Sequence, residues 1–374
     1  MSYVTSIGLD VHARSITAVA FDPATGEVRS KRFGYAPAEV AAWTLALDSP
    51  KAVYESGVTG FHLVRALRGL GVDCIVGAVS KMHKPAADKR KKNDRNDAEF
   101  LARQLAARNI KEVWIPDEEC EAARDLSRVL EDVREDLTRA KHRLTHLLIR
   151  HGYAFDEIGP DGKRKGKWTR AHWEWIRSIE LSEAAARDAL DFYVSEVRHI
   201  EAQKKAIEKE IADYARADRW RGRVEALRRL KGIETMTAFS LVAEAGVFSR
   251  FESARAFSSW LGLTPSEHSS GERVSRGGII KAGNTHLRKQ LVESSWHYTR
   301  ATTKRKRDQR GEEVPLAIEN YAARGREAPC REAGSLCKAQ SSPGGGQRGH
   351  RKRALLLGMG CGLHVGRGSR IETR

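Results

Sequence analysis

The chain has 374 residues, and 66 Lys and Arg against 49 Asp and Glu give it a net charge of +17. This length suits two or three domains, and the basic excess makes a polyanion the first partner to consider. The sequence has no apolar run long enough to span a membrane, and its N-terminus lacks the features of a signal peptide. Its five scattered cysteines fit neither a disulfide framework nor a zinc site. We therefore expect a cytoplasmic protein without a membrane partner.

Residues 1–115 have the pattern of strands alternating with helices. The first three apolar runs follow one another at hairpin distances, and the later ones alternate with helical segments. This order predicts a mixed sheet covered by helices. The predicted strands are 4–9, 16–21, 27–33, 52–54 and 72–76, and the predicted helices are 38–47, 60–70 and 94–107.

Residues 116–218 carry two heptad patterns. Apolar residues recur at steps of four and three over 126–147 and again over 190–214. The spacing predicts two long helices that form a coiled-coil arm, with the basic insert 159–168 at its tip. Packing of the two helices within one chain is the simpler interpretation, and a dimer contact is the alternative.

Residues 219–324 predict a compact helical domain, so the fold class expected for the whole chain is α/β plus all-α. Within this domain, 227–233 and 238–246 have the pattern of a helix, a glycine turn and a second helix, a unit that often places backbone N–H groups at a phosphate. Residues 325–374 differ from the rest, since they are rich in Gly, Arg and Cys and have no helical or strand period. They are either a disordered basic tail or the product of a reading-frame shift near Ala328.

Four carboxylates stand where a metal site can form. Asp10 and Glu55 each end a predicted strand, and Asp94 and Asp97 open a predicted helix on one face. Carboxylates bunched together repel one another and raise their own pKa values, and a divalent cation removes that conflict. Hard oxygen ligands suit Mg²⁺ or Mn²⁺, and a pair of such ions can hold both oxygens of a phosphodiester displacement. The simpler alternatives are a helix cap for the helix aspartates and a turn position for Asp10.

A second candidate group lies in the C-terminal domain. The segment 262–271 contains Ser269, Ser270 and Gly271, and 280–288 contains Lys281 and Arg288. A serine before a glycine in a loop can expose its hydroxyl, and the two basic residues can bind the phosphate that it attacks. A Ser-Gly pair in a loop is also a common turn signal.

In this order the motifs resemble a known family. Gly-Leu-Asp10-Val-His, Tyr-Glu55-Ser-Gly and Asn-Asp94-Arg-Asn-Asp97-Ala resemble the RuvC-like, RNase H-fold domain of the DEDD insertion-sequence transposases, which are relatives of the Piv DNA invertases. The C-terminal part resembles their transposase domain. The matching segments there are Leu230–Ile233, Phe251–Leu263, Ser269–Gly271, Ile280–Asn284 and Leu287–Arg288. The resemblance covers residues 3–320, and the chain departs from the family's helical C-terminus after about Ala328.

The resemblance implies a nucleoid-associated DNA recombinase guided by a structured RNA, acting as a homodimer or tetramer. It implies that Asp10, Glu55, Asp94 and Asp97 bind Mg²⁺ or Mn²⁺. A C-terminal serine would be the nucleophile that joins DNA, and Ser270 is the better match, with Ser269 as the fallback. One composite site then requires docking of the metal-binding domain and the serine domain.

The basic surfaces offer contacts to a nucleic-acid backbone. Lys281 and Arg288 are expected to bind nucleic acid. The basic stretch 81–92 and the insert 159–168 are candidates for backbone contact with RNA or DNA.

Three other functions remain open at this point. A RuvC-like nuclease would use metal-activated water in place of a serine. A non-catalytic nucleic-acid-binding remnant would keep only the basic surface. An ATPase of the actin and sugar-kinase type is weaker, because no second glycine-rich phosphate loop follows Glu55.

Overall fold

A computed structural model of the chain divides into two compact units, Met1–Asp117 and Glu118–Arg374. No helix among its described residues is long and apolar enough to cross a membrane. The basic stretch 81–92 and the tail 325–374 lie outside the described residues. The structure describes residues 5–78, 93–267, 276–280, 282–295 and 297.

The first unit is built on a five-stranded mixed sheet. Its strands are β1 (Ser6–Val11), β2 (Ser15–Phe21), β3 (Val28–Gly34), β4 (Lys51–Glu55) and β5 (Asp73–Gly77). They lie in the order β3-β2-β1-β4-β5, in which β1 pairs antiparallel with β2 and parallel with β4. The five strands predicted from the sequence are confirmed to within two residues at each end. This mixed sheet is the arrangement that the resemblance to RNase H-fold domains implies.

Helices cover both faces of this sheet. They are α1 (Pro37–Leu45), α2 (His62–Gly69) and α3 (Asp94–Ala106). Alternate residues of β1, such as Ile7 and Leu9, are fully buried in a core shared with Val40 of α1 and Leu67 of α2. The period of two in the strands therefore sends their apolar side chains to the face that α1 and α2 cover.

Helix α3 packs on the opposite face, and a glycine permits its close approach. A Cβ added to Gly8 would lie 1.8 Å from the carbonyl oxygen of Ala98. On the same face Val53 and Ile75 pack against Leu101 of α3. This contact sets the start of α3 beside the carboxyl end of β1.

The second unit is mainly helical, as predicted. Its helices are α4 (Glu118–Arg150), α5 (Arg170–Arg177), α6 (Ala184–Arg216), α7 (Asp218–Arg228), α8 (Thr235–Ala245), α9 (Ala254–Trp260) and α10 (Thr285–Ser295). Two short strands, β6 (Pro265–Glu267) and β7 (Arg276–Ile279), form an antiparallel hairpin. The first unit is α/β and the second is mainly helical, which agrees with the predicted fold class of α/β plus all-α.

The two heptad patterns correspond to the long helices α4 and α6. Each has 33 residues, and their apolar seams share one buried cluster that includes Leu137, Leu144 and Val197. Charged side chains border the seam, as in the 2.6 Å pair of Arg143 and Glu196. The heptads therefore serve packing within one chain, which was the simpler of the two interpretations.

The predicted helix, glycine turn and helix is formed by α7 and α8. Gly232 in the connection has φ +77°, a conformation that side-chain-bearing residues rarely adopt. Trp220 of α7 is buried and its ring lies 5.5 Å from that of Phe239 on α8. Helix α8 is buried from Ala238 to Ala245, so α7 and α8 pack through a buried apolar contact.

Candidate functional site

Asp10 lies at the carboxyl end of β1, on the face that α3 covers. Its neighbours along the strand, Leu9 and Val11, belong to the opposite face, so the pleat directs the Asp10 carboxylate toward the start of α3. Partial burial raises the pKa of Asp10; the nearby His12 opposes this shift, and the negative charges of Asp94 and Asp97 add to it.

The first turn of α3 supplies Asp94 and Asp97. Asn93 is the N-cap, and its side-chain oxygen accepts a hydrogen bond from the backbone N–H of Arg95 at 3.0 Å. This cap leaves the Asp94 carboxylate available for other contacts, which weakens the view that it serves only to cap the helix. The two aspartates also lie near the positive end of the helix dipole.

His12 joins this group, and sequence reasoning missed it. Its Nε2 lies 3.2 Å from an Asp10 carboxylate oxygen and 3.6 Å from an Asp94 carboxylate oxygen. The only sequence signal for His12 was its position two residues after Asp10, in the motif Asp10-Val11-His12. Only the turn after β1 and the packing of α3 bring the imidazole between two carboxylates distant in sequence.

Glu55 is the last residue of β4, next to the end of β1. The parallel register pairs Leu9 with Tyr54, so Asp10 and Glu55 follow at neighbouring positions. Val53 packs against α3 and Tyr54 belongs to the opposite core, so alternation places Glu55 on the same face as Asp10. The structure thus brings Glu55 to the expected sheet edge.

The group that can hold a divalent cation consists of Asp10, His12 and Asp94. One ligand atom of each lies within 4.8 Å of the others. Among the described residues, Glu55 and Asp97 are not members of this compact group. The two carboxylates suit Mg²⁺ or Mn²⁺, whereas the imidazole is a donor that later transition metals prefer. Repulsion between the carboxylates adds to burial in raising the pKa of Asp10, and a cation relieves that repulsion. The residues present therefore fit a metal ion.

The predicted serine loop lies between the paired strands β6 and β7. Ser269, Ser270 and Lys281 lie outside the described residues. The hairpin on either side is described, with Pro265 paired to Ile279.

Gly262 lies just before this hairpin, and Gly283 and Asn284 lie between the hairpin and α10. A Cβ on Gly262 would lie 2.5 Å from the carbonyl oxygen of Ala282, and one on Gly283 would lie 2.2 Å from that of Trp260. The backbone N–H of Asn284 donates to the Trp260 carbonyl at 3.1 Å. This close packing places the two ends of the Gly262–Gly283 segment against each other.

Arg288 has a structural contact in this region. Its guanidinium donates to the carbonyl of Leu261 at 3.0 Å and to the Thr285 hydroxyl at 3.3 Å. Part of the hydrogen-bonding capacity of Arg288 is therefore used within the chain. Its contact with nucleic acid stays a prediction.

A buried glutamate on α8, which sequence reasoning missed, supports the same turn. Glu244 is 2% exposed and accepts from Arg128 at 2.9 Å and from the side-chain amide of Asn284 at 2.8 Å. Arg124 donates to the backbone carbonyl of Glu244 at 2.8 Å. A charged residue in a buried helix carries no local signal of its partners, because these come from α4 and from the segment before α10.

Comparison with known proteins gives consistent matches in both units. Residues 7–152 match the DEDD transposase family of the IS110 type, and residues 224–310 match the family described as Transposase IS116/IS110/IS902. The "Putative transposase y4qE" of Sinorhizobium fredii is 34% identical over 300 residues, which cover 78% of this chain and 71% of that protein. The transposase for insertion sequence element IS1533 of Leptospira borgpetersenii is 28% identical, over 78% of this chain and 84% of its own length.

Proposed function

The chain belongs to the IS110/IS116 family of insertion-sequence transposases, enzymes that cut and rejoin DNA, and we propose that it does so with a serine nucleophile and a carboxylate-bound divalent metal site. The observation that carries the metal part is the convergence of Asp10, His12 and Asp94 within 4.8 Å at the carboxyl end of β1. The serine part rests on the family resemblance of the segment between β6 and β7.

Asp10 and Asp94 would hold the metal through their carboxylates, with His12 as a nitrogen donor and with Glu55 and Asp97 as further ligands. When bound, Mg²⁺ or Mn²⁺ supplies electrostatic stabilisation of the charge that develops on a phosphate during displacement. The protein's own contribution is to hold these carboxylates together at a partly buried position, where burial, and less strongly the charges of Asp94 and Asp97, raise the pKa of Asp10.

Ser270 would attack the scissile phosphorus of DNA. A bond forms between its Oγ and phosphorus, the bond from phosphorus to one DNA oxygen breaks, and that oxygen takes a proton to leave as a free hydroxyl. The hydroxyl of a second strand then attacks the phosphoserine and releases the serine. The number of phosphoester bonds is unchanged at each step, so no nucleotide hydrolysis is required.

A structured RNA guide and assembly as a homodimer or tetramer belong to the same proposal. They follow from the family resemblance. Lys281, Arg288, the stretch 81–92 and the insert 159–168 are the proposed backbone contacts. Sequencing of RNA that co-purifies with the chain, and mass photometry of the purified complex, measure these two properties directly.

The leading experiment is junction sequencing in cells that carry the gene with its native flanks. We expect rejoined junctions from the wild-type gene and none from Ser270→Ala or Asp10→Asn. The matched control is Asp22→Asn, which removes the same charge at an exposed turn. A covalent adduct of protein and DNA on a denaturing gel, lost with Ser270→Ala, identifies the phosphoserine.

Other outcomes select the alternatives. Junctions that survive Ser270→Ala and vanish with Ser269→Ala would move the nucleophile by one residue. Cleavage that survives both substitutions and vanishes with Asp10→Asn would indicate a water-dependent RuvC-like nuclease. DNA binding without junctions from the wild-type gene would indicate a non-catalytic remnant.

A further inference from the structure

A row of paired residues crosses the sheet from Asp10 to its outer edge. Asp10 on β1 pairs with Thr17 on β2, and Thr17 pairs with Arg32 on β3. Adjacent strands are spaced by about 4.8 Å, so the Cα of Arg32 lies roughly 10 Å from that of Asp10. Arg32 therefore stands level with the candidate metal site.

Arg32 is also on the same face of the sheet as Asp10. Its neighbour Phe33 is buried in the core under α1 and α2, and Lys31 lies over the Phe33 ring at 4.9 Å. Because side chains alternate along a strand, Arg32 takes the opposite face, the one on which α3 packs.

Two further arginines flank the carboxylates on this side. Arg14 lies in the turn between β1 and β2, and its carbonyl accepts from the backbone N–H of Tyr35 just after β3. Arg95 is in the first turn of α3, eight residues before Arg103, which stacks over Phe21 of β2 at 4.5 Å. Eight residues are about 2.2 turns, so Arg95 lies about 80° around the helix from Arg103, next to Asp94 in sequence.

These three arginines are exposed and have no side-chain partner among the described residues. Other arginines of the same unit are engaged, as Arg29 is with Glu27 at 2.7 Å and Arg103 with Glu99 at 2.7 Å. We call Arg14, Arg32 and Arg95 the arginine edge. The arginine edge places positive charge near the carboxylates of Asp10 and Asp94, and its guanidinium groups form no ion pair with them among the described residues.

We propose that the arginine edge binds the phosphates that flank the scissile phosphate on the cut DNA strand, with Arg32 as its central contact. A guanidinium binds phosphate oxygens through paired N–H donors. The Asp10 group, if it holds a cation, would take the scissile phosphate, and the unpaired arginines would bind the phosphates on either side of it. Contacts of this kind position a strand without reading its sequence. The proposal rests on DNA cleavage at the Asp10 group.

The test compares two neighbours on one strand. Arg32→Ala and Lys31→Ala remove the same charge from adjacent exposed positions on opposite faces of β3. The full-length protein is titrated with a 40-base-pair duplex that carries the element's end and native flank, in EDTA, at several NaCl concentrations. Counterion release predicts that Arg32→Ala lowers the slope of log K against log salt by about 0.9, whereas Lys31→Ala leaves it unchanged. Arg32→Lys should restore most of the slope.

Junction counts in cells give the second measurement. We expect Arg32→Ala to reduce junctions about tenfold, and Arg32→Lys and Lys31→Ala to stay within twofold of wild type. Equal slopes for Arg32→Ala and Lys31→Ala would overturn the proposal, as would a slope change seen only with transcribed RNA of the same element. Loss of the proposed function is distinguished by Asp10→Asn, since junctions that survive that substitution reject the metal role whatever the salt slopes are.

Discussion

Replacing Asp10 by Asn should stabilise the metal-free protein while it abolishes recombination. Asp10 and Asp94 hold carboxylate oxygens within 4.8 Å of each other, and burial together with the aspartates of α3 raises the pKa of Asp10. Asparagine keeps the size of the side chain and removes one of the repelling charges. In the proposed metal site, this repulsion lowers the stability of the protein until a cation binds.

The expected gain can be estimated from the separation of the charges. Two unit charges about 5 Å apart repel by about 1 kcal/mol in water and about 3 kcal/mol at an effective dielectric constant near 20. The Asp10 side chain is 22% exposed and that of Asp94 is 43% exposed. Solvent screening and the nearby His12 favour the lower value, so we expect about 1 kcal/mol, a factor of about five in the unfolding equilibrium.

Amide hydrogen exchange of peptides from β1 and β4 measures this gain in the first unit. In EDTA the Asp10→Asn variant should exchange its core amides about fivefold more slowly than wild type, and added Mg²⁺ or Mn²⁺ should protect only the wild type strongly. The control, Asp22→Asn, makes the same change in net charge. The hydrogen bond from the backbone N–H of Ala24 lowers the pKa of Asp22. Removing the Asp22 charge should therefore not slow the exchange of the core amides. Faster exchange of Asp10→Asn than of wild type in EDTA would refute the reasoning.

Three other substitutions or reactions test the packing. Gly8→Ala should lower the free energy of unfolding by about 3 kcal/mol or more, because its Cβ would overlap the backbone of α3. Gly34→Ala has open space around the added Cβ, so its free energy of unfolding in urea should stay within about 0.5 kcal/mol of wild type. Glu244→Gln should lower the free energy of unfolding by about 2 kcal/mol, because it removes the charge of a buried carboxylate that accepts a hydrogen bond from Arg128. Loss of the half-exposed pair of Glu99 should cost less than about 1 kcal/mol, and equal costs would contradict this. Burial raises the pKa of Cys74 to about 12, so iodoacetamide at pH 8 should modify it only after unfolding, as mapped by mass spectrometry.

The local elements of this protein could be predicted from the sequence because their signals are local. Short apolar runs at hairpin distances predicted β1 and β2, and heptad spacing predicted α4 and α6. The ends of the strands also indicated where Asp10 and Glu55 would stand, since the carboxyl ends of neighbouring parallel strands share one edge of a sheet. The ordered set of acidic motifs and C-terminal motifs indicated the family.

Contacts between distant segments required the tertiary structure. His12 joins Asp10 and Asp94 only because α3 packs closely over Gly8, and a bare histidine in a turn does not signal that contact.

The same holds for the long-range partners in both units. Glu244 looks like an isolated charge in an apolar helix until α4 and the residues before α10 supply its partners. Arg32 stands level with Asp10 because of strand register, and a shift of one residue would turn it to the other face. Periodicity is a property of neighbouring residues and can be read from the sequence, whereas register and convergence depend on which segments pair, and only the folded chain decides that.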